Sequence, residues 1–262
     1  MTNTPPADET VPFGFEDVAA DEKEGRVRGV FDSVASSYDL MNDFMSVGIH
    51  RLWKHDTIAK VNPQPGEKLL DVAGGTGELA KAFLERADRA ERRRHVARPA
   101  SAIVCDINEE MLKAGQARSD MQSYGERIGW VCGNAEALPF EDRSFDALTI
   151  AFGIRNVTHR DRALAEFRRV LKPAGRLAVL EFSHMTAPML QKAYNAYSFS
   201  VIPTLGGLVA GDKDSYQYLV ESIRRFPKQD DFKGEVEAAG FRQVSVTNFS
   251  GGIAALHFGW AV

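Results

Sequence analysis

Two cysteines in 262 residues, Cys105 and Cys132, are too few for a disulfide framework and fit a reducing compartment. Each lies in or beside an apolar run (SAIVC and WVC), where a small buried side chain is the plain reading. Zinc needs more closely clustered ligands than these. The six histidines are scattered, and His50 and His55 are not at the HExxH spacing, so no metal site is expected. No uninterrupted apolar run reaches about 18 residues, so no membrane-spanning helix is expected. A basic excess is also missing. Lys and Arg number 32 against 36 Asp and Glu, a net charge of -4, so nucleic acid is not an expected partner. The opening stretch, MTNTPPADETVPFGFED, has neither a secretory nor an Arg-rich transit pattern, and a cytoplasmic location is expected.

What is present is a globular composition, 44% hydrophobic and 26% charged, in a chain long enough for one large α/β domain with appended segments. Residues 1–24 read as a flexible arm, disordered or loosely docked, and residues 25–262 as one domain. Within it, 25–62 reads as a helical cover, with Val27, Val30, Phe31 and Val34 at helical spacing. Lys68–Val72 is a short apolar strand, followed by the turn AGGTG and a helix from Glu78 to Ala87. The arginine-rich stretch ERADRAERRRHVARPA reads as a solvated loop, or else as a contact for anionic lipid head groups. Strand signals at 101–105, 127–132, 145–150 and 176–182 alternate with helix signals at 109–121 and 160–171, which predicts βαβ units and a mostly parallel sheet. Residues 184–232 interrupt the alternation as a helical insertion that serves as lid or substrate segment. FSVIPTLGGLVAG (199–211) within it is either a packed lid or a hydrophobic mouth. Two last strands, 243–249 and 253–260, joined through SGG, suit an antiparallel pair.

A nucleotide site is expected at the C-terminal ends of the parallel strands. Gly74, Gly75 and Gly77 let the backbone turn sharply and approach a ligand, but the spacing is neither G-x-G-x-x-G nor a P-loop. Asp106 ends the second strand, where a carboxylate accepts hydrogen bonds from ribose hydroxyls. A helix N-cap is the other reading there, and Asn108 can cap while Asp106 binds. Asn134, in GNAEALPF after the third strand, is placed to reach an adenine edge, with Leu138 or Phe140 against the ring face.

The set LLDVAGGTGELA, VCD, GNAEALPF and SFDALTI resembles the class I S-adenosylmethionine-dependent methyltransferases, a Rossmann-like fold. Three further stretches, YDLMNDFMSVGIHRLW, AFGIRNV and RRVLKPAGRLAVLEFS, resemble the UbiE/MenG/COQ5 family of quinone-biosynthesis C-methyltransferases, from about Phe13 to Trp260. The resemblance implies S-adenosylmethionine as cofactor. It also implies methylation of a ring carbon of a polyprenyl quinol, benzoquinol or demethylmenaquinol, or else another small aromatic or lipid acceptor. Its cofactor contacts fall on Thr76, Asp106, Asn134 and Ala135, with Asp71, Gly74 and Gly77 forming the loop near the methionine ammonium. Expected partners are the quinol, the inner face of a membrane as a peripheral contact, and a second copy or a quinone-biosynthesis complex.

The phenolic proton beside the acceptor carbon must be removed or polarised, since a phenol titrates near about 10. Arg155 is the first choice to hold the developing oxyanion, its alternative being a salt bridge that locks the loop. Asn156 would orient the quinol oxygen, with Tyr38 and His50 as second choices from the helical cover. Met41, Met45 and Trp53 read as core or substrate wall. Two departures from the family pattern stand out. Ala151 replaces a serine, and Ala174 replaces the first of two glycines, tolerable where φ is negative.

Overall fold

The computed structural model describes residues 9–34, 46, 48–186 and 213–262. Tyr38, Met41, Met45 and the stretch 199–211 lie outside the described residues. The chain begins with a hairpin, β1 (Thr10–Phe13) and β2 (Glu16–Ala19), which runs into α1 (Ala20–Val34). This corrects the expectation of a flexible arm through residue 24. Val11 and Val18 are buried, Phe13 stacks on Tyr218 at 4.2 Å, and Glu221 accepts the Phe15 N–H at 3.0 Å. A short charged segment docks when its few apolar side chains find a partner far along the chain.

Next come α2 (His50–Val61), β3 (Lys68–Val72), α3 (Glu78–Arg94) and β4 (Ser101–Asp106). Then follow α4 (Glu109–Ala117), the single turn α5 (Ser119–Gln122), β5 (Ile128–Cys132) and β6 (Phe145–Ala151). The chain ends with α6 (Arg160–Val170), β7 (Leu171–Phe182), α7 (Lys213–Arg225), α8 (Gln229–Ala238), β8 (Phe241–Phe249) and β9 (Ala254–Ala261). The predicted helix over 109–121 breaks at Arg118, and the insertion reaches residue 238 rather than 232.

Seven strands form one sheet in the order β5-β4-β3-β6-β7-β9-β8. All neighbours are parallel except β9, which runs antiparallel to both β7 and β8. Alternate residues of each central strand feed two cores, as helices on both faces require. Leu69, Ala147 and Leu180 pack with Trp53, Phe83 and Tyr216 on one face. Leu70, Leu148 and Val179 pack with Phe167 and Phe232 on the other.

Two further expectations change. The arginine stretch is helical as far as Arg94, because Ala87 and Ala90 bury its inner face and its residues are strong helix formers. Ala174 has φ +62°, so the condition for tolerating alanine there is not met, and the residue sits in a left-handed conformation inside β7.

The strand order reverses at β3 and β6. Connections leave in opposite directions there and open a crevice beyond the strand C-termini.

Candidate functional site

A cavity of about 140 Å³ occupies that crevice. Its floor is the loop after β3. Gly74 has no room for a side chain, since a Cβ there would lie 2.8 Å from Val104 and 2.9 Å from the Asp71 carbonyl oxygen. Gly77 has φ +80°, and a Cβ would meet the Trp130 ring at 2.9 Å. Backbone therefore faces the cavity here, and α3 starts directly behind it. Ala73 (φ +48°) and Phe152 (φ +57°) are also left-handed, at the ends of β3 and β6, and both line the cavity. Such strain is held by surrounding packing and gathers at functional sites.

Asp71, at the end of β3, is 1% exposed. The Thr149 hydroxyl of β6 donates to its Oδ1 at 2.7 Å, and its Oδ2 accepts no hydrogen bond. Burial pushes this carboxyl up to about 7, against the Thr149 bond and the Lys54 charge. One strand over, Asp106 accepts the Gly75 N–H on Oδ2 and the Asn108 N–H on Oδ1, both at 2.9 Å. Burial raises its proton affinity despite these bonds. A carboxylate offers about four lone-pair sites, so Asp106 keeps acceptor capacity for ribose hydroxyls. Asn108 caps α4, accepting from Glu110 at 3.0 Å and Met111 at 3.1 Å, so the cap does not fall to Asp106.

At the end of β5, Asn134 and Ala135 line the cavity. Asn134 donates to Glu24 of α1 at 3.0 Å and accepts from the Glu136 N–H at 2.8 Å. Thr76 lines the cavity too, its hydroxyl 3.4 Å from Arg118. Asp71, Gly74, Thr76, Asp106, Asn134 and Ala135 thus meet around one cavity, and Gly77 closes the loop behind them.

The groups expected to act on the acceptor are divided. Asn156 lines the cavity, and its Oδ1 accepts from the Tyr218 hydroxyl at 3.1 Å. Arg155 does not line it, which corrects the expectation of direct contact. Its guanidinium bonds Glu181 at 2.6 Å and the Phe152 carbonyl at 2.6 Å, and both charged side chains are 1% exposed. The Glu181 carboxylate also accepts the Arg155 and Phe182 N–H groups. This is the salt bridge that locks the loop. His50 is likewise buried away from the cavity, its Nδ1 3.0 Å from the Ser46 hydroxyl.

Several lining or supporting groups are not among the residues expected at the site. Lys54 of α2 and Glu78 of α3 pair at 2.6 Å on the cavity wall. Glu24 reaches in from α1. Thr149 is one of two polar residues, with Asp146, in the apolar strand FDALTIA, and nothing in that pattern marks it out.

Residues 19–261 match the family model described as the ubiE/COQ5 methyltransferase family. The chain is 53% identical over 259 residues to the ubiquinone/menaquinone biosynthesis C-methyltransferase UbiE of Ruegeria sp. (strain TM1040), covering 99% of this chain and 100% of that one. It is 54% identical over 263 residues to the protein of the same name from Caulobacter vibrioides (strain NA1000 / CB15N), covering 100% of each. Among solved structures, a SAM-dependent methyltransferase from Aquifex aeolicus superposes with TM-score 0.55 at 16% identity, over 80% of this chain and 89% of that one. The [4+2]-cyclase SpnF superposes with TM-score 0.57 at 20% identity, over 87% and 76%. At such identities these two share the fold alone. The whole-length matches decide the matter: the chain belongs to the ubiE/COQ5 methyltransferase family.

Proposed function

We infer that this protein transfers a methyl group from S-adenosylmethionine to a ring carbon of a polyprenylated quinol, in ubiquinone or menaquinone biosynthesis. The observation that carries this reading is the 53% identity, end to end, with a relative bearing that name. The residues present fit the cofactor. Asp71 Oδ2 is a buried acceptor without a hydrogen bond, and Gly74, which has no room for a Cβ, keeps bare backbone on the cavity floor. Asn134, Ala135, Asp106 and Asp71 all line the cavity, and in this reading Asn134 and Ala135 contact the adenine, Asp106 its ribose and Asp71 the methionine end.

The bound cofactor supplies an electrophilic methyl group. The protein must place the ring carbon in line with it and make that carbon electron-rich. Asn156 is the group we assign to the quinol oxygen. The Tyr218 hydroxyl occupies its Oδ1, which leaves the amide N–H₂ to donate to an oxyanion. Burial first of all holds the Tyr218 phenol protonated, so it remains a donor. Arg155 acts through position: it clamps the turn that carries Asn156. The phenolic proton passes to water, since a guanidinium is a poor base.

The decisive experiment supplies methyl-labelled S-adenosylmethionine with reduced, demethylated benzoquinol or naphthoquinol in detergent. Label on a ring carbon is expected, and the preferred ring names the pathway. Cofactor binding with neither quinol labelled would turn the reading to another small aromatic or lipid acceptor.

A further inference from the structure

The cavity can be read along the sheet edge. Asn134, Asp106 and Asp71 lie at or just beyond the C-terminal ends of the neighbouring strands β5, β4 and β3. Neighbouring strands lie about 4.8 Å apart, so these three groups mark successive stations along one elongated ligand. The last station, beyond Asp71, must receive an amino acid: an ammonium and a carboxylate on one carbon. Asp71 matches an ammonium. The carboxylate still needs a cation.

Lys54 meets that need. Its side chain is 14% exposed, it lines the cavity with Asp71 and Glu78, and its charge reaches the Asp71 carboxyl. The pair with Glu78 at 2.6 Å holds the ammonium group on the wall beside the loop. Two acids and one base at this end of the cavity suit a zwitterion. Among the described residues Arg28 is the other cation on the wall; it pairs with Glu24 at 3.2 Å, and Glu24 holds Asn134 at the opposite end. Lys54 is therefore the cation beside Asp71.

We propose that Lys54 binds the carboxylate of the cofactor's methionine moiety, with Glu78 holding the ammonium group in place and competing for it. This rests on the cofactor orientation given above. It also assigns the α2 helix a direct part in binding, since Lys54 is its contribution to the cavity.

Decarboxylated S-adenosylmethionine separates this role from mere support, because it keeps the sulfonium, adenosine and ammonium and lacks only the carboxylate. Calorimetry on the full chain should show the unmodified protein preferring S-adenosylmethionine over the decarboxylated form. Lys54→Met should weaken S-adenosylmethionine tenfold or more and the decarboxylated ligand less than twofold. Asp71→Asn should weaken both alike. Equal weakening of both ligands by Lys54→Met, or no weakening of either, overturns the proposal. Should Lys54→Met fail to fold, Glu78→Gln decides. Freed from its competitor, Lys54 should widen the preference for the carboxylate-bearing ligand, and an unchanged ratio overturns the assignment. Absence of S-adenosylmethionine binding by the unmodified protein would instead sink the cofactor reading itself.

Discussion

A carboxyl that is 1% exposed and hydrogen-bonded on one oxygen is costly to keep ionised. Asp71 is pushed up to about 7 from an ordinary 3.8, chiefly by burial. Between those values the folded chain holds a proton that the unfolded chain has released, so this group lowers stability as pH rises through that window. Asp71→Asn should raise stability at pH 8 by up to about 4 kcal/mol, a gain that fades toward pH 4 and is checked by melting curves across pH. Cofactor affinity in the unmodified protein should rise with pH through about 7, because the carboxylate form faces the ammonium. Ala174 offers a simpler case. With φ at +62°, Ala174→Gly should stabilise by about 0.5–1 kcal/mol, or roughly 2–3 °C in Tm, by calorimetric scan. Asp71, Asp106 and Asn134 were legible in the sequence because each ends a short apolar strand beside a turn. Thr149 and Glu181 were not, since their partners lie 78 and 26 residues away and only the folded sheet joins them.

Elements show the same divide between local and distant causes. The parallel strands were readable as continuous apolar runs, and α4 from its Asn108 cap. The second half of α3 was not, because alanine on the inner face and arginine outside blur the hydrophobic period. Hairpin β1–β2 was hidden for another reason: besides Arg26 of the adjoining α1, its contacts come from Tyr218, Glu221 and Arg225 of α7, far along the chain. Val18→Asp should undock it, and limited proteolysis should then cut within residues 10–19 while the rest of the domain resists. The Arg155–Glu181 pair joins β7 to the turn after β6. Removing one partner leaves a buried charge alone, so Arg155→Ala should cost about 3–5 kcal/mol in denaturant unfolding. Arg155→Met combined with Glu181→Leu should recover most of that loss without restoring turnover.

At the scale of the molecule, the sheet separates two packed cores and places the cavity at one end of its strands. Helix α3 starts at that cavity and ends 17 residues later, about 25 Å away, with Arg92, Arg93 and Arg94 exposed. Changing all three to glutamate should leave methyl transfer to detergent-dispersed quinol within twofold of normal, since the charges sit at the far pole. Among the described residues no helix is long and apolar enough to cross a membrane. The three tryptophans are distributed over the same map. Trp53 is buried against Phe152, Phe182 and Phe249, and Trp260 borders a cleft with Lys60 and Arg176. Trp130 presses its ring on the glycine loop, so close that a Cβ on Gly77 or Gly115 would lie 2.9 or 2.5 Å from it. That contact makes the loop visible in ultraviolet light. Any ligand that shifts Gly77 changes the surroundings of an indole, so the protein's own emission reports occupancy without a label. In a Trp130→Phe variant most of the ligand-dependent change should be lost, leaving what Trp53 reports through Phe152.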